Sequence, residues 1–173
     1  RSFHVTGVQT CALPIYQNHL KVTRKVLLLG FAILLISDGL NANYAFYKKV
    51  TATCKYYRIN SETQNMNLTS NDKGAKNFSL ILDSNRNNFE MVMIIGFISA
   101  GQAILHQKSL AKKKEGYNPV VLEKVFITVN VPMGKTPMIV SAAATEEQIL
   151  RMVEGRIDSA EFMRQIKDSI QTL

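Results

Sequence analysis

The chain has 173 residues, 21 of them basic and 13 acidic, and its formal net charge at pH 7 is +8. This length suits one domain of ordinary size with a modest core. A mild basic excess favours anionic surfaces in general, and two cysteines are too few for a disulfide-dense framework.

The first fifteen residues resemble a sequencing artefact rather than a protein segment. Residues 5–15 match, residue for residue, one reading frame of a widely used short-read library adapter, and residues 1–4 fit the index-bearing primer upstream of it. Segments of this origin are excluded from the interpretation of a fold. Setting residues 1–15 aside removes Cys11 from the groups considered for chemistry.

Residues 16–42 have the features of a secretory signal peptide. A basic stretch, an apolar run and a polar break follow one another: Lys21, Arg24 and Lys25, then residues 26–36, then residues 37–41. The apolar run is too short to span a bilayer comfortably. Leu40 and Ala42 fit the third and first positions before a cleavage after Ala42, and Asn43 and Ala45 are a poorer pair. We therefore expect an exported protein in the periplasm, the cell envelope or the extracellular space. The alternative is a buried N-terminal helix.

Cleavage after Ala42 would leave a smaller charge and a single cysteine. Residues 1–42 carry four basic and one acidic side chain, so residues 43–173 keep a net charge of +5. Cys54 then has no partner for an intrachain disulfide. We interpret Cys54 as a buried strand residue.

We predict an α+β fold for residues 43–143, beginning with two strands. A strand over residues 47–59 would bury every second side chain on one face: Val50, Ala52, Cys54 and Tyr56. Residues 60–76 are rich in Asn, Ser and Thr, which predicts a long solvated loop. A second strand would bury three alternating residues: Phe78, Leu80 and Leu82.

Residues 87–114 predict one long helix. Residues 89–105 are nearly all apolar, which is typical either of the central core helix of a domain or of a membrane span. The lysines at 108 and 112–114 resemble the flank of a stop-transfer segment. We favour the core helix, and a single-pass membrane helix remains the alternative.

A β-hairpin and two capped helices follow. Residues 121–131 and 138–141 predict the two strands of the hairpin, with Pro132 and Pro137 bracketing its turn at an edge position or at the strand ends. In residues 144–173, two pairs have the spacing of capping boxes: Thr145 with Gln148, and Asp158 with Glu161. Gly155 can end the first helix in a left-handed conformation. We therefore predict a C-terminal helical hairpin.

The junction of this hairpin carries a recognisable pattern. Residues 155–162 read Gly-Arg-Ile-Asp-Ser-Ala-Glu-Phe, and with them residues 146–173 resemble the short C-terminal domain (SHOCT) family. The resemblance covers about a sixth of the chain and implies association with a partner or a second copy rather than catalysis. Five residues are the candidates for this interaction: Gly155, Ile157, Glu161, Phe162 and Ile166.

The sequence shows no recognisable catalytic, cofactor-binding or metal-binding motif. Cys54 and His106 alone cannot assemble a Cys/His metal cluster. Three carboxylates would serve an unrecognised type of enzyme if the fold gathered them: Asp83, Glu90 and Glu123. Residues 48–58 mix lysine, arginine and tyrosine and come nearest to a nucleic-acid-binding pattern, but export argues against that role.

These patterns predict a non-enzymatic envelope or extracellular protein that acts through a protein partner or self-association. We expect no cofactor, no small-molecule ligand and no nucleic-acid partner. The alternative is a single-pass inner-membrane protein anchored by residues 89–105, with the C-terminal helical hairpin in the cytoplasm.

Overall fold

The computed structural model describes residues 42–70, 75–133 and 136–172. The adapter and signal-peptide predictions therefore fall outside the described residues, except at Ala42. Helix α1 covers residues 42–56. Two strands follow, β1 (Met66–Ser70) and β2 (Lys76–Asp83), and then the long helix α2 (Phe89–Lys113).

The second half of the chain returns to the sheet and ends in short helices. Strands β3 (Leu122–Val131) and β4 (Met138–Thr145) lead directly into helix α3 (Glu146–Val153). Helix α4 (Ser159–Ile166) and the two-residue strand β5 (Gln171–Thr172) complete the described part. Helices and a mixed sheet thus make the α+β fold that the sequence predicts.

The five strands form one sheet in the order β1-β2-β3-β4-β5. Neighbouring strands are antiparallel, except that β2 and β3 are parallel. Phe78 of β2 lies beside Val125 of β3, and Leu82 lies beside Val129. Parallel neighbours need a crossover connection, and α2 supplies it between β2 and β3.

Helices α1 and α2 pack on the same face of the sheet. The rings of Phe46 in α1 and Phe78 in β2 meet edge to face at 4.9 Å. On α2, a Cβ at Gly96 would touch both Leu82 and Ile127, so helix and sheet are in close contact there. The opposite face is open enough to leave Ile81 43% exposed. The core therefore lies between the helices and one face of the sheet.

The predicted strand at residues 47–59 is wrong, because residues 42–56 form α1. Phe46, Val50 and Cys54 are fully buried at a spacing of four, which is the period of a helix. Tyr56, predicted to be buried, is 80% exposed. The Thr53 hydroxyl donates to the carbonyl of Lys49 at 3.0 Å, so this β-branched residue is satisfied inside the helix.

The predicted loop at residues 60–76 is wrong in part. A 3-10 turn at Thr63–Asn65 leads into β1, where Met66 is 6% exposed and pairs with Leu80 of β2. Two strands still precede α2, as predicted, but the first of them lies later in the chain than expected.

The long helix α2, the β3–β4 hairpin and the C-terminal pair of helices are confirmed. Strand β4 extends to Thr145, four residues beyond its predicted end, and β5 was not predicted. Of the second predicted capping box, the structure has only the Asp158 cap. Strands β3 and β4 pair as a hairpin, and Pro132 and Pro137 lie just outside their ends. Thr145 and Gln148 form a complete capping box at the start of α3. The carboxylate of Asp158 accepts from the backbone N–H of Glu161 at 2.7 Å, and Gly155 is left-handed with φ +75°.

Candidate interaction surface on the first helix

Two side-chain contacts fix α1 against α2. The side chain of Gln107 is buried and donates to the carbonyl of Ala42 at 2.6 Å, while accepting from the backbone N–H of Val120 at 2.6 Å. At the other end of α1, the Cys54 thiol lies 3.2 Å from the hydroxyl of Ser99. Helix α1 is therefore held at both ends, and its outer side is presented in a fixed orientation.

The side of α1 that faces away from the core is basic and aromatic. Six exposed residues on α1 and the turn after it form this surface, which we call the basic face: Tyr44, Lys48, Lys55, Tyr56, Tyr57 and Arg58. Positions separated by three, four or seven residues lie on one side of a helix, which places Tyr44, Lys48 and Lys55 in one row. The Tyr44 side chain is 67% exposed. The basic face therefore offers both charge and aromatic area to a partner.

The basic face has no acidic residue on its own helix. Residues 42–61 contain no aspartate or glutamate, and Glu62 follows them. Three ion pairs of the described residues join α2 to α3, follow α3 and lie within α4, and none of these three includes a residue of the basic face. The positive charge of the basic face is therefore free to act on a partner.

Open depressions accompany the basic face. One lies between Lys55, Arg58 and Asn60, and another between Tyr44, Lys48 and Thr63. The surface around them is the convex side of a helix rather than a continuous channel. It therefore suits a partner that lies against it more than one that threads through it.

One neighbouring phenol is partly buried. Burial raises the pKa of Tyr47 above the ordinary tyrosine value, and a hydrogen bond with the backbone of Leu68 acts in the opposite direction. Tyr47 lies at the flank of α1, with its ring 6.3 Å from that of Phe78. Tyr47 therefore belongs to the contact between α1 and the sheet.

Arg58 occupies a backbone conformation that favours glycine. Its φ is +61°, and the N–H groups of Arg58 and Ile59 donate to the carbonyls of Lys55 and Cys54 at 3.0 and 2.9 Å. This pair of hydrogen bonds is the Schellman ending of a helix, in which the left-handed residue is usually glycine. An arginine there costs conformational energy. Strain of this kind points to a use for the side chain.

The structure places the predicted C-terminal interaction residues differently from one another. The Phe162 ring is fully buried edge to face against Phe97 at 5.2 Å, and Ile166 is also buried. Ile157 is half-buried, and Gly155 is exposed. Glu161 is half-buried and accepts from Gln165 at 3.0 Å. Phe162 and Ile166 therefore hold α4 onto α2, which leaves little of this set available to a partner.

The fold does not gather the three candidate carboxylates. Asp83 lies beside Asn130, whose side-chain amide donates to it at 2.9 Å. Glu123 stands seven residues earlier on β3, about 23 Å away at the rise of a strand. Glu90 is exposed in the first turn of α2. Within the described ranges, no group of three or more His, Cys, Asp or Glu side chains is placed to hold a metal ion.

The sequence pattern of residues 48–58 indicates a basic and aromatic segment but does not predict which of its side chains share one surface. The strand assignment put Tyr56 on the buried face and separated it from Lys55. The row of Tyr44, Lys48 and Lys55 at helical spacing was the pattern that could have revealed the basic face.

Comparisons with known proteins give no family for this chain. No family model matches it, and neither the curated proteins nor the solved structures contain a match. The resemblance of residues 146–173 to the SHOCT family stays a prediction. Function must therefore be argued from the surface of the protein itself.

Proposed function

We propose that the chain is an exported, non-enzymatic interaction or assembly protein of the cell envelope. The observation that carries this proposal is the basic face, an unpaired positive and aromatic surface on a helix that Gln107 and Ser99 hold in place. A rigid surface of this kind recognises a partner by charge complementarity. Export rests on the basic and apolar pattern of residues 21–36.

The position of Ala42 bears on where an export signal would be removed. Its side chain is 3% exposed and its carbonyl accepts from Gln107. Cleavage after Ala42 would remove that acceptor from the folded protein. We therefore place the cleavage upstream, where Ser37 and Gly39 offer small residues at the required spacing.

The second candidate is a single-pass membrane protein anchored by residues 89–105. Among the described helices, α2 is long and apolar enough to cross a membrane, although 56% of its most apolar window is buried in the fold. The parallel pairing of β2 with β3 favours the first proposal, because these strands flank α2 and share a sheet. A membrane span would put them on opposite sides of a bilayer, where they could not hydrogen-bond.

Fractionation of residues 16–173 expressed in a bacterial host distinguishes the two candidates. Osmotic shock releases soluble periplasmic protein, and an alkaline wash leaves only integral proteins in the membrane pellet. We expect release by osmotic shock or removal by the alkaline wash. Retention in the washed membrane would favour the anchored protein, and recovery in the cytosol would refute export.

A control separates the apolar run from α2. The variant Leu28→Lys/Leu34→Lys would disrupt the apolar run of residues 26–36 without changing the sequence of α2. The exported protein should then remain in the cytosol. If this variant stayed in the membrane pellet after the alkaline wash, α2 would be responsible, and the envelope proposal would be wrong.

A further inference from the structure

We propose that the basic face binds the anionic lipid surface of a membrane. This inference rests on the proposed function and names the partner of the same surface. It makes the protein peripheral to the membrane, in contact through α1 and the turn after it, with α2 inside the fold.

The composition of the basic face fits a lipid surface. Lysine and arginine side chains near an anionic bilayer each strengthen binding about fivefold, and Lys48, Lys55 and Arg58 are all exposed. Tyrosine is enriched where protein meets lipid headgroups, because its ring is apolar and its hydroxyl is polar. Tyr44 is 67% exposed and lies in the row of Lys48 and Lys55. Tyr56 is 80% exposed at the flank of this row, where it lines a depression with Gln102 of α2. Charge and the Tyr44 ring therefore lie together where a headgroup region would contact both.

The backbone conformation of Arg58 is a second reason to expect a ligand on this surface. Its left-handed conformation would be relieved by glycine, as the Schellman hydrogen bonds of Arg58 and Ile59 require only the backbone. The strained residue stands next to Lys55 in one of the depressions along α1. An arginine here adds a guanidinium that can bind phosphate oxygens in two places at once.

The shape of the surface favours a bilayer over a nucleic acid. Proteins that bind single strands use a positively charged groove in which successive bases stack on aromatic rings. The basic face follows the outer side of a single helix, and its two depressions adjoin at Thr51. A flat anionic layer can contact such a surface along the whole of α1.

Vesicle sedimentation tests the proposal with the purified exported protein. Vesicles of phosphatidylcholine alone are compared with vesicles in which a third of the lipid is phosphatidylglycerol. We expect preferential binding to the anionic vesicles that is lost at about 0.5 M NaCl, since salt screens surface charge. The variant Lys48→Gln/Lys55→Gln should bind about 25-fold more weakly.

A matched variant controls for net charge. Lys124→Gln/Lys167→Gln removes the same two charges from exposed positions on β3 and after α4, and should change binding less than twofold. The variant Arg58→Gly should bind about fivefold more weakly while unfolding at a higher urea concentration. Weaker binding by a more stable protein cannot result from misfolding.

Three outcomes would overturn the proposal. Equal binding to both kinds of vesicle would remove the role of charge, and equal loss in the two double variants would remove the role of the basic face. Tight binding of a short oligothymidylate, abolished by Lys48→Gln/Lys55→Gln in a protein that ignores vesicles, would make this a nucleic-acid surface instead.

The vesicle result is independent of the fractionation result. A protein recovered in the cytosol could still bind anionic vesicles through the basic face, in which case only the proposed export is wrong. A protein released by osmotic shock that ignores vesicles keeps its envelope location and loses the lipid partner.

Discussion

Replacing Gln107 with methionine tests whether this one side chain fixes α1 to the rest of the protein. Gln107 is 1% exposed, and its amide satisfies two backbone groups, the carbonyl of Ala42 and the N–H of Val120, at 2.6 Å each. Methionine has a similar volume and can make neither hydrogen bond. A buried backbone group that loses its partner costs about 1–3 kcal/mol. With part of this offset by burial of an apolar side chain, we expect a loss of about 2–4 kcal/mol in the free energy of unfolding.

Urea unfolding followed by far-UV circular dichroism measures this loss. The midpoint should fall with the slope unchanged, and the amides of α1 should exchange faster with solvent than those of α2. Gln102→Met on the same helix is the matched control. Gln102 is half-buried, and its side chain makes no hydrogen bond within the described residues. If the free energy of unfolding of Gln107→Met lay within about 0.5 kcal/mol of the parent value, or if Gln102→Met lost as much, the Gln107 hydrogen bonds would not be what fixes α1.

Three further outcomes are expected. Gly101→Ala should destabilise by about 1 kcal/mol, because its Cβ would lie 2.5 Å from a methyl of Val153 and 2.8 Å from a methyl of Ile149, and overpacking outweighs the gain in helix propensity. Val153→Ala in the same chain should remove part of that penalty, as a double-mutant cycle in urea would reveal. Asp158→Ala should cost about 1 kcal/mol through loss of the cap on α4, and equal urea midpoints would contradict this. If an export signal is removed as proposed, the intact mass of the processed protein should include Ala42, and a chain that begins at Asn43 would contradict the role of the Ala42 carbonyl in the core.

The sequence predicts those elements best whose hydrophobic period and end signals agree. Helix α2 has an unbroken apolar run, the β3–β4 hairpin is bounded by Pro132 and Pro137, and α3 starts at the capping box of Thr145. In each case local preference and tertiary packing point the same way. Helix α2 and strand β3 were predicted nearly to their ends, whereas β4 runs four residues beyond its predicted end, to Thr145.

Helix α1 could not be predicted in this way, because two periods coexist in its sequence. Val50, Thr51 and Thr53 are β-branched and favour a strand. In a strand, Val50 and Cys54 would also lie on the same face. The helical period becomes clear only when Phe46 is included, and packing of Phe46 on Phe78 decides between the two. Strand β1 was missed for a related reason, since its burial depends on pairing with β2 rather than on its own composition.

The basic face could be predicted only in part, because the sequence of α1 fits both a helix and a strand. Its residue types were apparent in residues 48–58, but a surface requires knowledge of which side chains share a side. The left-handed conformation of Arg58 has no sequence marker at all, because the usual marker is glycine.

The hydrogen bond between Gln107 and Ala42 also limits how early α1 can fold during synthesis. Its two partners are 65 residues apart, and Phe78 and Ser99 likewise follow α1 in the chain. At about 5–20 residues per second, a ribosome needs roughly 3–13 s to make the intervening segment. Phe78 is made during that interval, but the contacts of α1 with Ser99 and Gln107 form only towards its end, so part of the apolar side of α1 stays open to chaperones. The protein can commit to its fold only after more than half of its chain has been made.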